Sequence, residues 1–397
     1  MICPNCNAEN KQNAKKCAWC SEKLTLGSSI SGLLVATISI LSLTALVVVF
    51  YFMFGENDND VNSERDNGSN NQVSSPEDGL FSATGEGSDI HGAIHRIEYG
   101  DNVVYLFGTM HAAAPEWFPL SDVVEDAMRR ADVFAFEFDM TFESIEMVEL
   151  IELAELFETG MYMEEERLAD VISARVYRDL TRYIGTFDMT YSEVYRMNPV
   201  ALVTTLQVAV AAEVFAEHGI YYDDQIGVDG YILDFAQRNE RSIVGLEPIS
   251  QQMRIGFAPD QEILDRAGFT GTLHEIYYDA LPEFVPRDEL FDSLYEDTET
   301  HLEYLNNEIE AMITSMDVSS EYMENTFSRY MVEVLMNFRS TYYANSIASL
   351  LRDTEEPTTF FVAVGISHVI REGEYLTNIV EQLELLGIIA DPIWEQQ

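Results

Sequence analysis

Lysine is absent from most of this 397-residue chain: the last one is Lys23, and every basic residue beyond it is an arginine. The 69 acidic residues far outnumber the 22 basic ones, and the formal net charge is −47. Such a surface repels nucleic acid and anionic lipid, so we expect no nucleic-acid partner. The arginine-only composition is typical of a salty or alkaline outside medium, because arginine keeps its charge there.

Cysteine is absent beyond residue 20, so disulfide bonds cannot crosslink the larger part of the chain. The four cysteines form two Cys-x-x-Cys pairs: Cys3, Cys6, Cys17 and Cys20. Two such pairs supply four thiolates to one tetrahedral zinc ion and leave no open coordination position. We therefore predict a zinc ribbon over residues 1–23 that holds a structural zinc ion; two local disulfides are the alternative.

Charge is absent between residues 24 and 55, where the apolar run Ile30–Phe54 is long enough to span a bilayer as a helix. We predict a transmembrane helix over residues 28–55. Four lysines precede it and acidic residues follow, so the positive-inside rule places the N-terminus in the cytoplasm and the C-terminal part outside the cell membrane. A signal peptide is the alternative, but the length of the run and its position after the cysteines argue against it.

Large apolar residues are scarce in residues 56–89, which are rich in Asn, Ser, Gly and acid, and this composition predicts a disordered acidic stalk. Residues 90–397 form the globular part. Short apolar runs alternate there with helical patterns, and the predicted strands are 103–107, 133–138, 243–246 and 360–364. The alternation indicates an α/β domain with a mixed sheet flanked by helices. The pattern of residues 259–342 is helical throughout, and we predict that they form a lid or a subdomain.

Two of the seven histidines end the same phrase, Gly-x-x-His, at His111 and His368, each time directly after a predicted strand. Ligands of α/β sheets bind beyond the carboxyl ends of the strands. A third predicted strand carries Glu137 among phenylalanines, and a carboxylate buried there needs a partner. Two imidazoles and one carboxylate form a donor set for a catalytic divalent metal with open positions. We therefore predict a catalytic metal site at these three residues.

Each of these residues also has an ordinary interpretation. A single histidine after a strand is more often a satisfied core or surface residue, and Glu137 alone could pair with an arginine. Arg339, on a predicted helix, is a candidate for holding a substrate carboxylate or a developing oxyanion. Asp229 and Glu247 are further candidates, and for Asp229 an ion pair or a helix cap is the better interpretation.

Four stretches in order resemble motifs of one family, over roughly residues 92–393. The stretch "VYLFGTMHAAAPEWFPLSDVVEDAMRRADVFAFEFDM" resembles the opening motif of the TraB/PrgY/GumN family, which includes the Tiki proteases. "GVDGYILDFAQRNERSIVGLEPISQQ", "FRSTYYANSIASLL" and "FFVAVGISHVIREGEYLTNIVEQLELLGI" are similar to its later motifs. The resemblance implies a fold related to the erythromycin-esterase and ChaN-like groups. The zinc ribbon, transmembrane helix and stalk lie outside it.

For the Tiki members the resemblance implies metal-dependent peptidase activity supported by manganese or cobalt, with zinc a further candidate. By position its metal residues are His111, His368 and Glu137. The family's helix usually reads Arg-Asn, whereas this chain has Ser340 after Arg339. We expect a membrane-anchored extracellular hydrolase that acts on peptides or protein N-termini. The alternatives are a module that binds a peptide or pheromone without cutting it, and a metal-free hydrolase with His111 as general base oriented by Glu137.

Overall fold

The structure, a computed structural model, describes residues 92–113, 117–141, 147–156, 167–171, 195–204, 227–280, 322–370 and 373–393, with the pair 221–222 and a few single residues between these ranges. The predicted zinc ribbon, transmembrane helix and acidic stalk lie outside the described residues. Among the described residues, no helix is long and apolar enough to cross a membrane.

Six strands form one mixed sheet, and two short strands form a separate pair. The strands of the described residues are β1 Ile94–Tyr99, β2 Asn102–Thr109, β3 Ala112–Ala113, β4 Val133–Phe136, β5 Tyr221–Tyr222, β6 Ser242–Gly245, β7 Thr359–Gly365 and β8 Ala390–Pro392. The order across the large sheet is β6-β4-β7-β2-β1-β8, and β3 pairs with β5. Strands β6, β4, β7 and β2 are parallel, whereas β1 is antiparallel to both β2 and β8.

Helices connect and flank the strands. Those of the described residues are α1 Asp122–Arg130, α2 Met147–Glu155, α3 Leu168–Val171, α4 Val228–Arg238, α5 Ile249–Phe257, α6 Gln261–Ala267, α7 Leu273–Ala280, α8 Thr326–Tyr330, α9 Arg339–Asp353, α10 Ser367–Ile370 and α11 Ile379–Leu385. A 3₁₀ turn at Tyr322–Glu324 precedes α8, and a π-helical segment, Met331–Phe338, joins α8 to α9.

The mixed α/β class with helices flanking the sheet is confirmed. The four predicted strands correspond to β2, β4, β6 and β7, with ends displaced by one or two residues. Strands β1 and β8 were not predicted. Strand β8 is only three residues long and ends in Pro392, so its identity as a strand depends on pairing with β1 rather than on its own pattern.

The core centres on the parallel strands β4, β7 and β2, whose residues are mostly buried and whose sequences are therefore continuous apolar runs. In β7, the residues from Phe360 to Val364 are all buried. The fully buried ring of Phe361 packs against Phe107 of β2 and Phe134 of β4, with ring centroids 5.9 Å and 5.6 Å apart. The middle of the sheet is therefore held by aromatic contacts that cross three adjacent strands.

The described part of residues 259–342 is helical with short turns, as predicted. Its apolar residues form a smaller cluster together with Val200 and Ile255; the other members are Ile263, Leu264, Phe269, Ile276, Ala280, Phe327, Tyr330 and Val334. At its centre the buried Tyr330 donates a hydrogen bond to the backbone oxygen of Ile255, at 2.5 Å. A role for these helices as a lid stays a prediction.

The ends of helices α1 and α11 can be compared with the capping residues predicted from the sequence. Helix α11 begins with a capping box, in which the Asn378 side chain accepts from the Glu381 backbone N–H at 2.8 Å, and Gly387 follows its end with a φ of +76°. Ser121 precedes α1 as predicted, but its side chain makes no capping hydrogen bond. The acidic residues in the first turn of α1 interact favourably with the helix dipole instead.

Replacing the central aromatic ring tests this account of the core. We expect Phe361→Ala to lower the free energy of unfolding by about 3–5 kcal/mol, because a buried ring is lost and a cavity is left. Leu385→Ala on α11, where the side chain is 80% exposed, should change it by less than about 0.5 kcal/mol. Urea unfolding of the full chain in detergent measures both; equal losses would contradict the proposed core.

Candidate functional site

The two Gly-x-x-His phrases lie side by side. Each begins at the carboxyl end of a strand, and the two strands are adjacent and parallel, with Thr109 of β2 paired with Gly365 of β7. Beyond this pair the Ile366 backbone N–H donates to the Thr109 carbonyl oxygen at 2.9 Å, so the phrases stay joined as they leave the sheet. His111 and His368, some 250 residues apart in the chain, therefore both follow strands at the carboxyl edge of the same sheet.

The glycines of these phrases permit close packing at this edge. A Cβ atom on Gly108 would lie 2.9 Å from the Ile366 side chain, which is too close for a real contact. A Cβ atom on Gly365 would lie 3.2 Å from Glu137 Oε1 and 3.8 Å from His368 Cδ2. The second glycine thus leaves room for a carboxylate and an imidazole to approach the same backbone position.

The sequence placed Glu137 inside a strand. In the structure it lies one residue beyond the end of β4. Its carboxylate is buried and accepts three hydrogen bonds. Oε1 accepts from the Gly365 backbone N–H at 2.8 Å, and Oε2 accepts from Arg339 Nη2 at 2.8 Å and from Gln252 Nε2 at 3.2 Å. The carboxylate therefore has the partners that its burial requires.

Arg339 lies between two buried carboxylates, those of Glu137 and Glu247, and is itself only 5% exposed. Its Nε donates to Glu247 Oε1 at 2.8 Å, and its Nη2 lies 2.6 Å from the same oxygen. Nη2 also donates to the Tyr343 hydroxyl, which in turn donates to Glu247 Oε1 at 2.6 Å. We call Glu137, Glu247, Arg339 and Tyr343 the Arg339 cluster.

The charges of the Arg339 cluster follow from these contacts. Burial alone would raise the pKa of Glu137, but Arg339, His368, His111 and the Gly365 N–H together lower it to about 2. Burial alone would lower the pKa of Arg339, but the carboxylates and Tyr343 raise it well above its ordinary value. Burial also raises the pKa of Tyr343. At neutral pH the cluster therefore holds an ionised Glu137, a charged Arg339 and a neutral Tyr343.

His368 lies in the short helix α10 and is buried. Its Nδ1 lies 2.9 Å from the hydroxyl oxygen of Ser340, the second residue of α9. Its ring also meets the ring of Tyr343 edge-on, with centroids 5.1 Å apart and planes at 77°. Helix α9 therefore fixes His368 as well as supplying Arg339.

His111 is more open, with about 36% of its side chain exposed, and it is oriented by Asp229. Its Nδ1 lies 2.9 Å from Asp229 Oδ2, while Asp229 Oδ1 accepts from the Thr109 hydroxyl at 2.5 Å. Asp229 is buried in the first turn of α4. Of the ion pair or helix cap considered for Asp229 from the sequence, the structure shows a close contact with His111, which is an ion pair when His111 is protonated.

Four adjacent parallel strands each place one of these side chains just beyond their carboxyl ends. Across the sheet order β6-β4-β7-β2, the side chains that follow the strands are, in the same order, Glu247, Glu137, His368 and His111. Both imidazoles lie close enough to Glu137 to lower its pKa. Residues 111, 137, 339 and 368, singled out from the sequence, thus occupy one region, and their functional roles stay predictions.

The donor types present suit a divalent metal, although in the described part of the chain no three His, Cys, Asp or Glu side chains are grouped closely enough to bind one. In each imidazole Nδ1 has a polar neighbour: Asp229 Oδ2 lies 2.9 Å from it in His111, and Ser340 Oγ lies 2.9 Å from it in His368. Metal-binding histidines usually have such an outer partner. Oε1 of Glu137 accepts a single hydrogen bond from the described residues, so it retains acceptor capacity.

Gln252, Ser340 and Tyr343 belong to the site but were not singled out from the sequence. Tyr343 follows Arg339 by four residues, a spacing that places both side chains on one face of a helix, so this neighbour could have been found. Ser340 and Gln252 carry no comparable signal, because their partners come from other parts of the chain.

A cleft of about 340 Å³ opens beside the Arg339 cluster, at the carboxyl end of β6. Its walls combine acidic and apolar side chains, and its lining residues include Asp139, Glu149, Glu247, Leu246, Ile249 and Tyr342. Glu247 belongs both to this cleft and to the Arg339 cluster. The cleft therefore provides space for a ligand next to the buried charges.

The fold and the site define an α/β domain with paired Gly-x-x-His phrases and a glutamate at one edge of a mixed sheet. The profile of the TraB/PrgY/gumN family matches residues 93–384, and the chain belongs to this family. The matched range lies within the range of the resemblance read from the sequence. No curated protein and no solved structure matches the chain.

Removing the guanidinium tests how strongly the cluster depends on it. We expect Arg339→Met to lower the free energy of unfolding by about 3–5 kcal/mol, because it leaves two buried carboxylates without their counter-charge. The control is Arg238→Met, which breaks an exposed ion pair with Asp234 (2.9 Å) and should cost less than about 1 kcal/mol. Urea unfolding of both variants measures the two losses in unfolding free energy. A similar small loss in each would rule out a central role for Arg339.

The lowered pKa of Glu137 predicts a pH dependence of stability. Its pKa is about 2 in the folded protein, below its ordinary value of 4.5, so its ionised form contributes stability above pH 4.5 that is lost as the pH falls towards 2. Glu137→Gln does not titrate. The difference in unfolding free energy between wild type and Glu137→Gln should decrease as the pH falls from about 4.5 towards 2. Urea unfolding at several pH values measures this difference; a gap independent of pH would contradict the assignment.

Proposed function

We propose that the chain is a membrane-anchored, extracellular, metal-dependent hydrolase that acts on peptides or protein N-termini. The observation that supports this most is the meeting of two histidines and a buried, ionised glutamate at one sheet edge, with the Nδ1 atom of each histidine engaged by a neighbouring side chain. Family membership is compatible with the proposal, and the site residues are those that the sequence resemblance indicated.

In this proposal His111 and His368 would hold the metal through Nε2, and Glu137 would hold it through Oε1. A bound manganese, cobalt or zinc ion would polarise the scissile carbonyl and lower the pKa of a bound water. Asp229 and Ser340 keep the two imidazoles oriented, and Gly365 and Arg339 keep the carboxylate in place. These contacts restrain the three side chains that would supply the donor atoms.

The buried charges favour a cationic ligand. Asp229, Glu137 and Glu247 are all buried carboxylates, and Arg339 is the guanidinium that contacts the last two. When His111 and His368 are neutral, these carboxylates outnumber the guanidinium, and burying such an excess of negative charge is costly unless a cation balances it. A divalent metal or the ammonium group of a peptide N-terminus provides that balance, whereas the acidic surface disfavours acidic substrates.

The contacts of Arg339 give it a role beside the substrate or oxyanion contact predicted from the sequence. Nε and Nη2 are committed to the two carboxylates, so the main contribution of this side chain is to keep Glu137 ionised and oriented. Nη1 is the guanidinium nitrogen with no acceptor among the described residues. Any direct contact of Arg339 with a substrate or an oxyanion would therefore involve Nη1.

The pairing of His111 with Asp229 favours a second candidate, hydrolysis without a metal. A partly exposed imidazole with a buried carboxylate 2.9 Å from Nδ1 is the arrangement of a general base, and its Nε2 can take a proton from water. In the sequence-based version of this mechanism Glu137 oriented His111. The carboxylate within hydrogen-bonding distance is Asp229, so Asp229 takes that role here.

Peptide cleavage by the purified full chain in detergent tests the proposal. A peptide library, read by mass spectrometry, is incubated with protein that has been treated with chelator and then reloaded with Mn²⁺, Co²⁺ or Zn²⁺. We expect cleavage to vanish on chelation and to return with metal, and we expect His111→Ala, His368→Ala and Glu137→Gln each to lose about 100-fold or more. His274→Ala, an exposed histidine on α7, is the control and should cleave normally.

Each alternative has its own result in the same experiment. Cleavage that survives complete metal removal but is lost in Asp229→Asn would favour the general-base mechanism. Peptides that bind tightly and stay intact would favour a sequestering module over a hydrolase. Cleavage of peptides with a free N-terminus but not of N-acetylated peptides would show that the N-terminal ammonium group is required.

A further inference from the structure

The cleft of about 340 Å³ at the carboxyl end of β6 adjoins the residues proposed for catalysis. Asp139, in its wall, follows Glu137 by two residues, and Tyr342 precedes Tyr343 in the chain. Gly245 permits close packing here, because a Cβ atom on it would lie 2.5 Å from the Asp139 backbone nitrogen. A ligand in the cleft would therefore lie beside the carboxyl edge of the sheet.

Two carboxylates supply the charge of this cleft. Oδ1 of Asp139 accepts from the Thr141 backbone N–H at 2.9 Å and from the Thr141 hydroxyl at 2.6 Å, which holds this carboxylate in the wall. Glu149 Oε1 has long contacts, 3.4 Å to the Ser250 backbone nitrogen and 3.5 Å to its hydroxyl. The third acidic residue, Glu247, already contacts Arg339, so the charge open to a ligand comes from the first two.

The charge balance of the cleft favours a cation. Of the described residues that line it, none is basic. The N-terminus of α5 meets the cleft at Pro248 and Ile249 and contributes about half of one positive charge. The ionised carboxylates of Asp139 and Glu149 exceed this positive charge, and a cleft lined by an excess of one sign of charge attracts ligands of the opposite sign.

The remaining walls are apolar and suit a cation that carries an apolar stem. They are formed by Ile145, Leu246, Pro248, Ile249 and Tyr342. Lysine and arginine side chains bury a stem of methylene groups against apolar surface while the charged head contacts polar groups. A bare metal ion or a terminal ammonium group has no such stem, so the whole lining of the cleft matches a basic side chain better.

We propose that this cleft is a specificity subsite that binds the side chain of a lysine or an arginine in the substrate peptide. The apolar walls contact the methylene stem, and Asp139 and Glu149 accept hydrogen bonds from the ammonium or guanidinium group. The inference rests on the proposed function, because it names the kind of peptide on which the hydrolase acts.

The test measures peptide binding to the full chain in detergent after chelation, so that metal-dependent cleavage does not interfere. Fluorescent peptides with acetylated N-termini and amidated C-termini differ at one position, which is lysine, arginine, norleucine or glutamate. Norleucine keeps the methylene stem without the charge. Glu149→Gln removes one carboxylate, and Glu149→Lys reverses its charge. The matched control is Glu152→Lys, an exposed residue of the same helix that does not line the cleft.

We expect the wild-type chain to bind the lysine and arginine peptides about 10-fold more tightly than the norleucine peptide. Glu149→Gln should remove most of this preference, Asp139→Asn should reduce it, and Glu149→Lys should favour the glutamate peptide. Glu152→Lys should keep the wild-type order. Equal binding of lysine and norleucine peptides would overturn the inference, as would the same change of preference in Glu149→Lys and Glu152→Lys, which would indicate general surface charge.

Two further results separate the subsite from its alternatives. A norleucine peptide with a free N-terminus that binds as tightly as the acetylated lysine peptide would assign the cleft to the terminal ammonium group and overturn the side-chain proposal. Selective binding of lysine peptides that stay intact when Mn²⁺, Co²⁺ or Zn²⁺ is added would contradict the hydrolase and leave the subsite in place. Cleavage without preference for a basic residue would support the hydrolase and contradict the subsite.

Discussion

The site depends on one buried guanidinium that is shared by two carboxylates. Arg339 compensates the charges that follow β4 and β6, and without it Glu137 and Glu247 would repel each other in a region of low dielectric. Burying such ions is costly, and it is tolerated only where geometry and further hydrogen bonds are good. Tyr343, Gln251 and Gln252 supply those further bonds. The ionised state of Glu137, and with it the donor character of the whole edge, follows from this arrangement.

The sheet topology converts distant sequence segments into neighbours. Parallel strands have their carboxyl ends at one edge, and here four adjacent strands each deliver one polar side chain to that edge. The helices then refine the result, because α4 orients His111 through Asp229 while α9 holds both Glu137 and His368. The strands thus bring the groups together, and the helices determine their orientation and charge.

The sequence indicated the buried strands and four residues that lie in one region of the structure, because long apolar runs and a repeated Gly-x-x-His phrase are strong local signals. It did not reveal the order β6-β4-β7-β2, since strand order depends on pairing between segments far apart in the chain. The partners of Asp229 and Ser340 were hidden for the same reason: a polar residue early in a helix looks like a cap until its neighbour in space is known. Strand β1 went unrecognised because its pairing with β2 and β8 completes a pattern that is weak alone.

The large sheet ends on both sides in very short strands, four residues in β6 and three in β8, the latter closed by a proline. In the part of the chain described, neither border offers the long row of free amides and carbonyls that an incoming peptide needs to join as an extra strand. Addition of a strand at either border would therefore form only a short ladder of backbone hydrogen bonds.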